Sequence, residues 1–479
     1  MYKFKSHRYI IALGIGLAVA SCKAPEAATP TASKPIPESY GSTTAIDTTN
    51  MSNIPWKNFF KDKNLVALID TALKNNQELM ITLQEIEISR NDIRIRKGAL
   101  LPTVGLRAGS GIEKVGRYTS QGAGDASTEI APGKEMPDPL TDFNLSAYAN
   151  WEVDIWKKLR NSKKAAVSRY LSTIEGKNFV LTNLISEVAN SYYELLALDS
   201  QLEIVRQNIQ LQTNALEIVK VQKEAARATE LAVQKFQAEV LTSKSLEFEI
   251  LQNIKETENR INFLLGRYPE EIPRDKSNFL SLLPSAVNSG IPSQLLANRP
   301  DIKQAELELA AAKLDVKVVR AEFYPSLDIS AAIGLQAFKP SYFFKFPESV
   351  LYSLAGDIAA PLINRNAIKA EFKSANSRQL QSMYNYERTI LNAYLEVSNQ
   401  LSKINNLGKS YDLKSQQVDA LNRSIDVSND LFKSARVDYF EVLMTQRDAL
   451  ESKLELIETK KEQLNAAVNV YKDLGGGWK

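Results

Sequence analysis

The sequence predicts a mainly α-helical chain with a small β part, laid down as two internal repeats. Three observations lead there. Arg227 in "EAARATEL" and Arg436 in "FKSARVDYF" lie 209 residues apart, and so do Gly266 and Gly475, each in a Leu-Gly pair. Upstream, "LLPTVGLRAGSG" (100–111) is echoed by "FYPSLDISAAIG" (323–334). Fixed-offset self-similarity marks repeated architecture. Proline is absent from 140 to 268 and again after Pro361. It costs about 3 kcal/mol inside a helix, so long helices can run in those two blocks. Shortly before each run of helical pattern, at 104–108 with 143–151 and at 327–333, apolar residues recur at every second position, the signature of strands.

The first segment is a leader. Lys3, Lys5 and Arg8 precede an apolar run, Ile10 to Ala20. Eleven residues fall well short of the ~20 a membrane-spanning helix needs, so 1–21 reads as a secretory signal peptide. It ends in Val19-Ala20-Ser21-Cys22, which resembles a bacterial lipobox, and Cys22 is the only cysteine. We expect lipidation there; the alternative is an ordinary signal peptide that happens to contain a cysteine. Residues 22–50, rich in Ala, Pro, Thr and Ser, read as a flexible tether.

The first repeat covers 51–266. A helix is expected over about Asn64 to Lys97, from Leu65, Leu68, Ile69, Leu73 and Leu79 at helical spacing. After Pro102, Val104, Leu106 and Ala108 alternate. The stretch 109–141 reads as a polar loop. Alternation returns at Phe143, Leu145, Ala147, Ala149 and Trp151, completing a hairpin at about 102–152. Helical pattern follows from about Asp154 to Ala225, turns near 226–229, and ends at Gly266. A proline-rich link occupies 267–298. The second repeat, 299–475, has a helix from about Pro300 to Glu322 and a hairpin at about 325–361, its first strand carrying Leu327, Ile329, Ala331 and Ile333. Long helices follow over about Ile363 to Ser434 and Asp438 to Leu474, then a tail, 476–479.

Composition excludes much chemistry. The chain has 479 residues, a net charge of +3, and one histidine, His7. A mature chain beginning at Cys22 has none. That removes Ser-His-Asp catalysis and His/Cys zinc sites. No dense Lys/Arg stripe marks a nucleic-acid surface. No Gly-rich phosphate loop and no paired-carboxylate motif stands out, and no cofactor is expected.

The strands point to the environment. Their alternation leaves one face apolar and the other small or polar. Tyr148, Trp151, Trp156 and Tyr352 lie near strand ends, and Phe338 to Phe346 at the second loop, as in the aromatic girdles of membrane barrels. A soluble sandwich is the alternative. Four strands cannot close a barrel, since about eight are needed, and an open edge in lipid leaves backbone groups unpaired. Membrane strands therefore require several chains. A coiled-coil spacer accounts for the long helices but leaves the strands unexplained.

Four blocks in order carry a resemblance: Trp151-Glu152-Val153-Asp154-Ile155-Trp156, "IPSQLLANRPDIKQAE" (291–306), "RAEFYPSLDI" (320–329) and "VYKDLGGGW" (470–478). With these the chain resembles outer membrane efflux proteins of the TolC type, in the lipid-anchored NodT-like branch, over nearly all of 52–479. The resemblance implies a homotrimer. Three chains would share a twelve-stranded transmembrane barrel, continued by a long periplasmic α-helical barrel. It implies a passive exit duct that works with a periplasmic adaptor and an inner-membrane pump of the resistance-nodulation-division class. An exit duct for ABC-type protein or peptide secretion remains the alternative. Lys23 after the cysteine resembles the sorting signal for the outer membrane.

The same resemblance places a periplasmic gate where the second helix pair turns. Aligning Gln446-Arg447 puts Phe440 at an apolar constriction, which gates by dewetting. Met444 falls where some relatives carry an aspartate, leaving Glu441 or Asp438 to supply acidity. Ordinary helix packing is the alternative for Phe440 and Met444. Arg227 and Arg436 mark the two turns as adaptor contacts or closed-state ties, or else as solvated surface arginines. Ala226 and Ala435 stand where many relatives have glycine, and Leu362-Ile363-Asn364-Arg365-Asn366 replaces a Phe-x-Gly-Gly stretch.

Overall fold

The structure is a computed structural model that describes residues 35–40, 49–276, 279–282, 288–361, 365–434 and 436–479. The expected leader, Cys22, most of the tether, 362–364 and Ala435 lie outside the described residues. Eleven principal elements follow in order: α1 (Lys63–Asn75), α2 (Gln77–Gly98), β1 (Thr103–Glu113), β2 (Leu140–Glu152), α3 (Lys158–Glu224), α4 (Glu230–Leu264), α5 (Pro300–Ala321), β3 (Ser326–Ala337), β4 (Val350–Ala359), α6 (Asn366–Lys433) and α7 (Tyr439–Asp473). The proline-free blocks carry the long helices, 67 residues in α3 and 68 in α6. At 1.5 Å per residue each is about 100 Å long.

Two differences from the sequence reading have local causes. The single helix expected over 64–97 is divided at Asn76. Its Oδ1 accepts the Leu79 N–H at 3.0 Å and its Nδ2 donates to the Leu264 carbonyl at 3.0 Å. One asparagine thus ends α1, caps α2 and ties both to the end of α4. The glycine-serine run read as loop, Gly109 to Gly111, instead continues β1, paired with Asn144, Phe143 and Asp142. The tip beyond it has structure of its own: a short helix, Ser120–Asp125, and a two-stranded ribbon, Glu129–Ala131 with Lys134–Glu135.

The chain divides into two compact units, each drawn from both repeats. Among the described residues one contains 88–170 and 307–383, the other the rest. In the first unit the four strands form one antiparallel sheet, order β1-β2-β3-β4. Beside it Val316, Phe323, Phe372 and Ala375 make a small core. In the second unit the main core gathers Leu65, Ile69, Ile185, Tyr192, Leu195, Ile261, Val470 and Tyr471 among others. Two of its buried tyrosines are tied by hydrogen bonds: Tyr192 donates to Asp62 Oδ2 at 2.8 Å, and Tyr471 donates to the Ile54 carbonyl at 2.6 Å.

Candidate functional site: the two-faced sheet and the helix turns

The sheet register sorts every strand residue onto one of two faces. Val104 opposes Ala149, which opposes Ala331, which opposes Leu354; Leu106, Ala147, Ile333 and Tyr352 form the next row. Ala108, Leu145, Leu335 and Val350 form a third. This face is apolar and outward. Leu106, Tyr352 and Leu354 are 82%, 83% and 80% exposed. The opposite face carries Arg107, Asn144, Ser146, Tyr148, Asn150, Ser330 and Ser353. Ser146 donates to Asn144 Oδ1 at 2.9 Å, and Gln336 donates to Asp142 at 2.9 Å. Gly105 is needed on this face: a Cβ there would meet the Tyr148 ring at 2.7 Å. One-sided exposed apolarity in a sheet suits lipid on one side and water on the other.

The sheet is open. Among the described residues β1 pairs only with β2, and β4 only with β3, so both outer edges present unpaired backbone groups. Among the described residues no helix is long and apolar enough to cross a membrane. At the helix-side ends of the strands, two of the aromatics singled out in the sequence fasten the chain. Trp151 donates to the Leu100 carbonyl at 3.1 Å, and Trp156 donates to the Pro325 carbonyl at 2.7 Å while stacking on Tyr324. Asp154 starts α3 by accepting the N–H groups of Leu159 and Arg160, both at 3.0 Å.

The helix turns lie in the second unit. After α3, the Ala226 N–H reaches the Lys223 carbonyl at 2.9 Å and the Arg227 N–H reaches the Gln222 carbonyl at 2.8 Å. Ala226 sits at φ +52. This is a Schellman closure, in which a left-handed residue satisfies the last carbonyls. After α6, the Arg436 N–H reaches the Leu431 carbonyl at 2.9 Å, the same long bond 209 residues on. The Leu-Gly landmarks repeat the device: Gly266 and Gly475 have φ +66 and +88, and Arg267 and Gly476 make the long bonds. The sequence repeat is therefore a repeat of helix terminations.

The structure brings some of the sequence-predicted residues together and leaves others apart. Leu443 is buried in a cluster with Leu216, Val219, Val233, Phe236 and Val240, and Tyr439 packs against it. Phe440, between them, is 44% exposed. Its ring lies 5.0 Å from Lys235 Nζ, a cation–π contact that sequence reading missed. The 209 offset pairs Lys235 with Met444, so the two halves carry different chemistry one helical turn from Phe440, but no local pattern links Lys235 to Phe440. Met444 is half-buried, while Asp438 and Glu441 are exposed. Arg227 and Arg436 are exposed, and among the described residues neither side chain enters an ion pair.

Two buried arginines were also missed. Arg274, in the link, donates to Asp199, and to Glu258 at 2.7 Å, joining α3 to α4. Arg299 donates to Asp301 at 2.6 Å, to Glu396 at 2.8 Å and to the Asp473 carbonyl at 3.0 Å, joining the start of α5 to α6 and α7. Burial opposes the charge of Arg299, yet Asp301 and Glu396 outweigh it and raise its pKa above the ordinary value.

The model of the family described as "Outer membrane efflux protein" matches residues 68–267 and 291–476. The chain belongs to that family. It is an efflux channel protein of the outer membrane. It is 28% identical over 424 residues to the pyoverdine export outer membrane protein OpmQ of Pseudomonas aeruginosa, covering 88% of this chain and 87% of that one. It is 26% identical over 470 residues to the cation efflux system protein CusC of Escherichia coli, covering 97% of each. Among solved structures, the open-state MtrE outer membrane channel of Neisseria gonorrhoeae matches with a TM-score of 0.81 at 22% identity, over 95% of this chain and 98% of that one. That last likeness shows the TolC-type fold of helices continued by a β part.

Proposed function

We propose that three copies of this efflux protein close a twelve-stranded barrel and form the passive exit duct of a tripartite pump. The open sheet with an apolar, exposed face carries this reading. Unpaired backbone groups in hydrocarbon cost several kcal/mol each, so β1 of one copy pairs with β4 of the next. The inward face, with Arg107, Asn144, Ser146 and Asn150, lines a wet lumen. A periplasmic adaptor and an inner-membrane resistance-nodulation-division pump deliver the cargo; the duct supplies neither energy nor chemistry. Residues 1–21 are the signal peptide, and Cys22 carries the lipid, each buried methylene contributing about 0.8 kcal/mol. Residues 22–50 tether the anchor to repeats 51–266 and 299–475, joined by the link 267–298 and followed by the tail 476–479.

The gate lies at the second turn. Phe440 supplies an apolar constriction beside Met444, with Asp438 and Glu441 exposed near it, and Arg227 and Arg436 at the turns face the adaptor. In planar bilayers the purified protein is expected to conduct weakly, and Phe440→Ala to raise its conductance. A protein that remains monomeric in detergent and conducts in neither form would end the duct reading. Raised conductance from Leu231→Ala, its counterpart in the first half, with none from Phe440→Ala, would move the gate to the first half.

A further inference from the structure

The two hairpin tips of the sheet differ in chemistry. Both lie at the end of the strands away from the helices. The β1–β2 tip is polar, with Lys114, Arg117, Asp125, Glu129, Lys134, Glu135 and Asp138, and Tyr118 as its one aromatic residue. The β3–β4 tip, "FKPSYFFKFPES" from 338 to 349, holds five aromatics and two lysines. It is a built turn. Gln336 N–H meets the Ser349 carbonyl at 2.8 Å, and Ser349 N–H and hydroxyl both meet the Lys345 carbonyl, at 2.9 and 2.7 Å. Phe338 packs edge-on against Tyr342 at 5.5 Å, and Phe343 against Phe344 at 5.3 Å.

A turn held this firmly still turns its largest apolar groups outward: Phe344 is 73% exposed and Phe346 is 63% exposed. Burying them internally would have been the favourable outcome in water. Lys339 and Lys345 flank them, exposed, and among the described residues neither pairs with a carboxylate. Lys345 Nζ lies 4.8 Å from the Tyr342 ring, a cation–π contact that holds the ammonium beside the aromatics. The turn continues the apolar face, since Leu335 and Val350, the last pair of β3 and β4, stand on that face.

We propose that the 338–349 turn is a lipid-headgroup site, in which Phe344 and Phe346 enter the outer leaflet and Lys339 and Lys345 bind the phosphate of an anionic lipid. Apolar groups next to lysines whose stems snorkel toward phosphate are the arrangement a membrane interface selects. This rests on the membrane reading of the sheet. The turn would seat the barrel at a set depth, while the polar β1–β2 tip stays in water.

The test uses the full-length protein with a nitroxide at Phe344→Cys or at Leu354→Cys, the second on the apolar sheet face. Labelled wild type supplies the blank for Cys22. In vesicles of phosphatidylcholine and lipid A, both nitroxides are expected to be accessible to oxygen and shielded from a water-soluble nickel chelate. Lipid A binding to the detergent-solubilised protein, read by native mass spectrometry, is expected to weaken about fivefold for each of Lys339→Gln and Lys345→Gln. A lipid-shielded label at 354 with a water-exposed label at 344 overturns the turn site and leaves the membrane reading standing. Shielding at 344 with unchanged lipid A binding in both lysine variants overturns the headgroup contact. A water-exposed label at 354 overturns the membrane reading itself, and the site with it.

Discussion

The helix pairs α3/α4 and α6/α7 are alike at one end and unlike at the other. At the link end each pair is clasped by a buried arginine, Arg274 or Arg299, bonded to carboxylates or a carbonyl on both helices. At the far end each turns through the same long backbone bond. Among the described residues only the first turn is stitched across by side chains. Thr229 caps α4 by accepting the Ala232 N–H at 3.3 Å, and Lys223 pairs with Glu230 across the turn. Gln234 adds a bond to Glu230 at 2.7 Å. In the second turn Asp438 holds the position of Thr229 and makes no capping bond, while Lys433 pairs with Asp430 on its own helix at 3.4 Å. A gate needs one helix pair that can move and one that holds still, and this difference supports the second pair as the moving one.

The largest expected effect breaks the likeness at the link end. Arg299→Ala leaves Asp301 and the buried end of α7 without their cation, and Arg274→Ala leaves Asp199 and Glu258 only the long contacts to Lys276 and Lys255, both at 3.9 Å. Removing one partner from a buried ion pair costs about 3–5 kcal/mol. Each variant should lower the thermal midpoint strongly and by a similar amount. A small loss in either would show that the clasps are unequal.

A smaller effect of opposite sign is expected beside Arg299. Burial, first among the causes, raises the pKa of Asp473, and Glu396 raises it too, against Lys472 and Arg299. A carboxyl whose folded pKa lies above its unfolded value holds its proton more tightly when folded. Its contribution is therefore unfavourable above the raised value and is relieved as pH falls toward the ordinary carboxylate value of about 4. Asp473→Asn should raise stability at neutral pH and flatten the pH dependence in that window. Unchanged pH dependence would count against a buried carboxylate there.

Sequence and structure agree where the governing signal is local and repeated. Long proline-free blocks gave α3, α4, α6 and α7 to within a few residues, and period-two alternation picked out Val104, Leu145 and Ile333, which the register places on one face. The misses are long-range or single-residue. Alternation assigns a residue to a face but not a strand to a neighbour, so the β2–β3 pairing that joins the two hairpins was not legible. Asn76 has a local part, the N-cap bond from the Leu79 N–H, but its tie to the Leu264 carbonyl, 188 residues away, exists only in the fold. Arg299 stood inside a quoted block, yet its clasp to Glu396 and Asp473 appears only once the helices are packed. Phe440 was legible as a position of interest, whereas its Lys235 partner required the folded turn.

The stitching itself can be exchanged between the turns. Thr229→Ala removes a cap and should cost about 1 kcal/mol locally, seen as faster amide exchange over 221–235 with 431–442 unchanged. Asp438→Thr places the first turn's capping residue in the second, and is expected to slow exchange over 431–442 and lower the conductance of the Phe440→Ala channel. If Asp438→Thr slows exchange without touching conductance, the second turn is not where opening occurs.

The smallest expected effect concerns the backbone of the first turn. Ala226 adopts φ +52, where its Cβ crowds the following carbonyl at a cost of roughly 1–2 kcal/mol. Glycine removes that cost and returns roughly 0.5–1 kcal/mol to the unfolded chain as freedom. Ala226→Gly should therefore stabilise the first turn by about 0–1.5 kcal/mol, read as slower exchange at Arg227, whose N–H closes the turn. The gain should leave conductance untouched, because the first turn is already held by Thr229 and Glu230. A change in conductance from Ala226→Gly would mean that the first pair also moves on opening, and that its stitching restrains the gate from within.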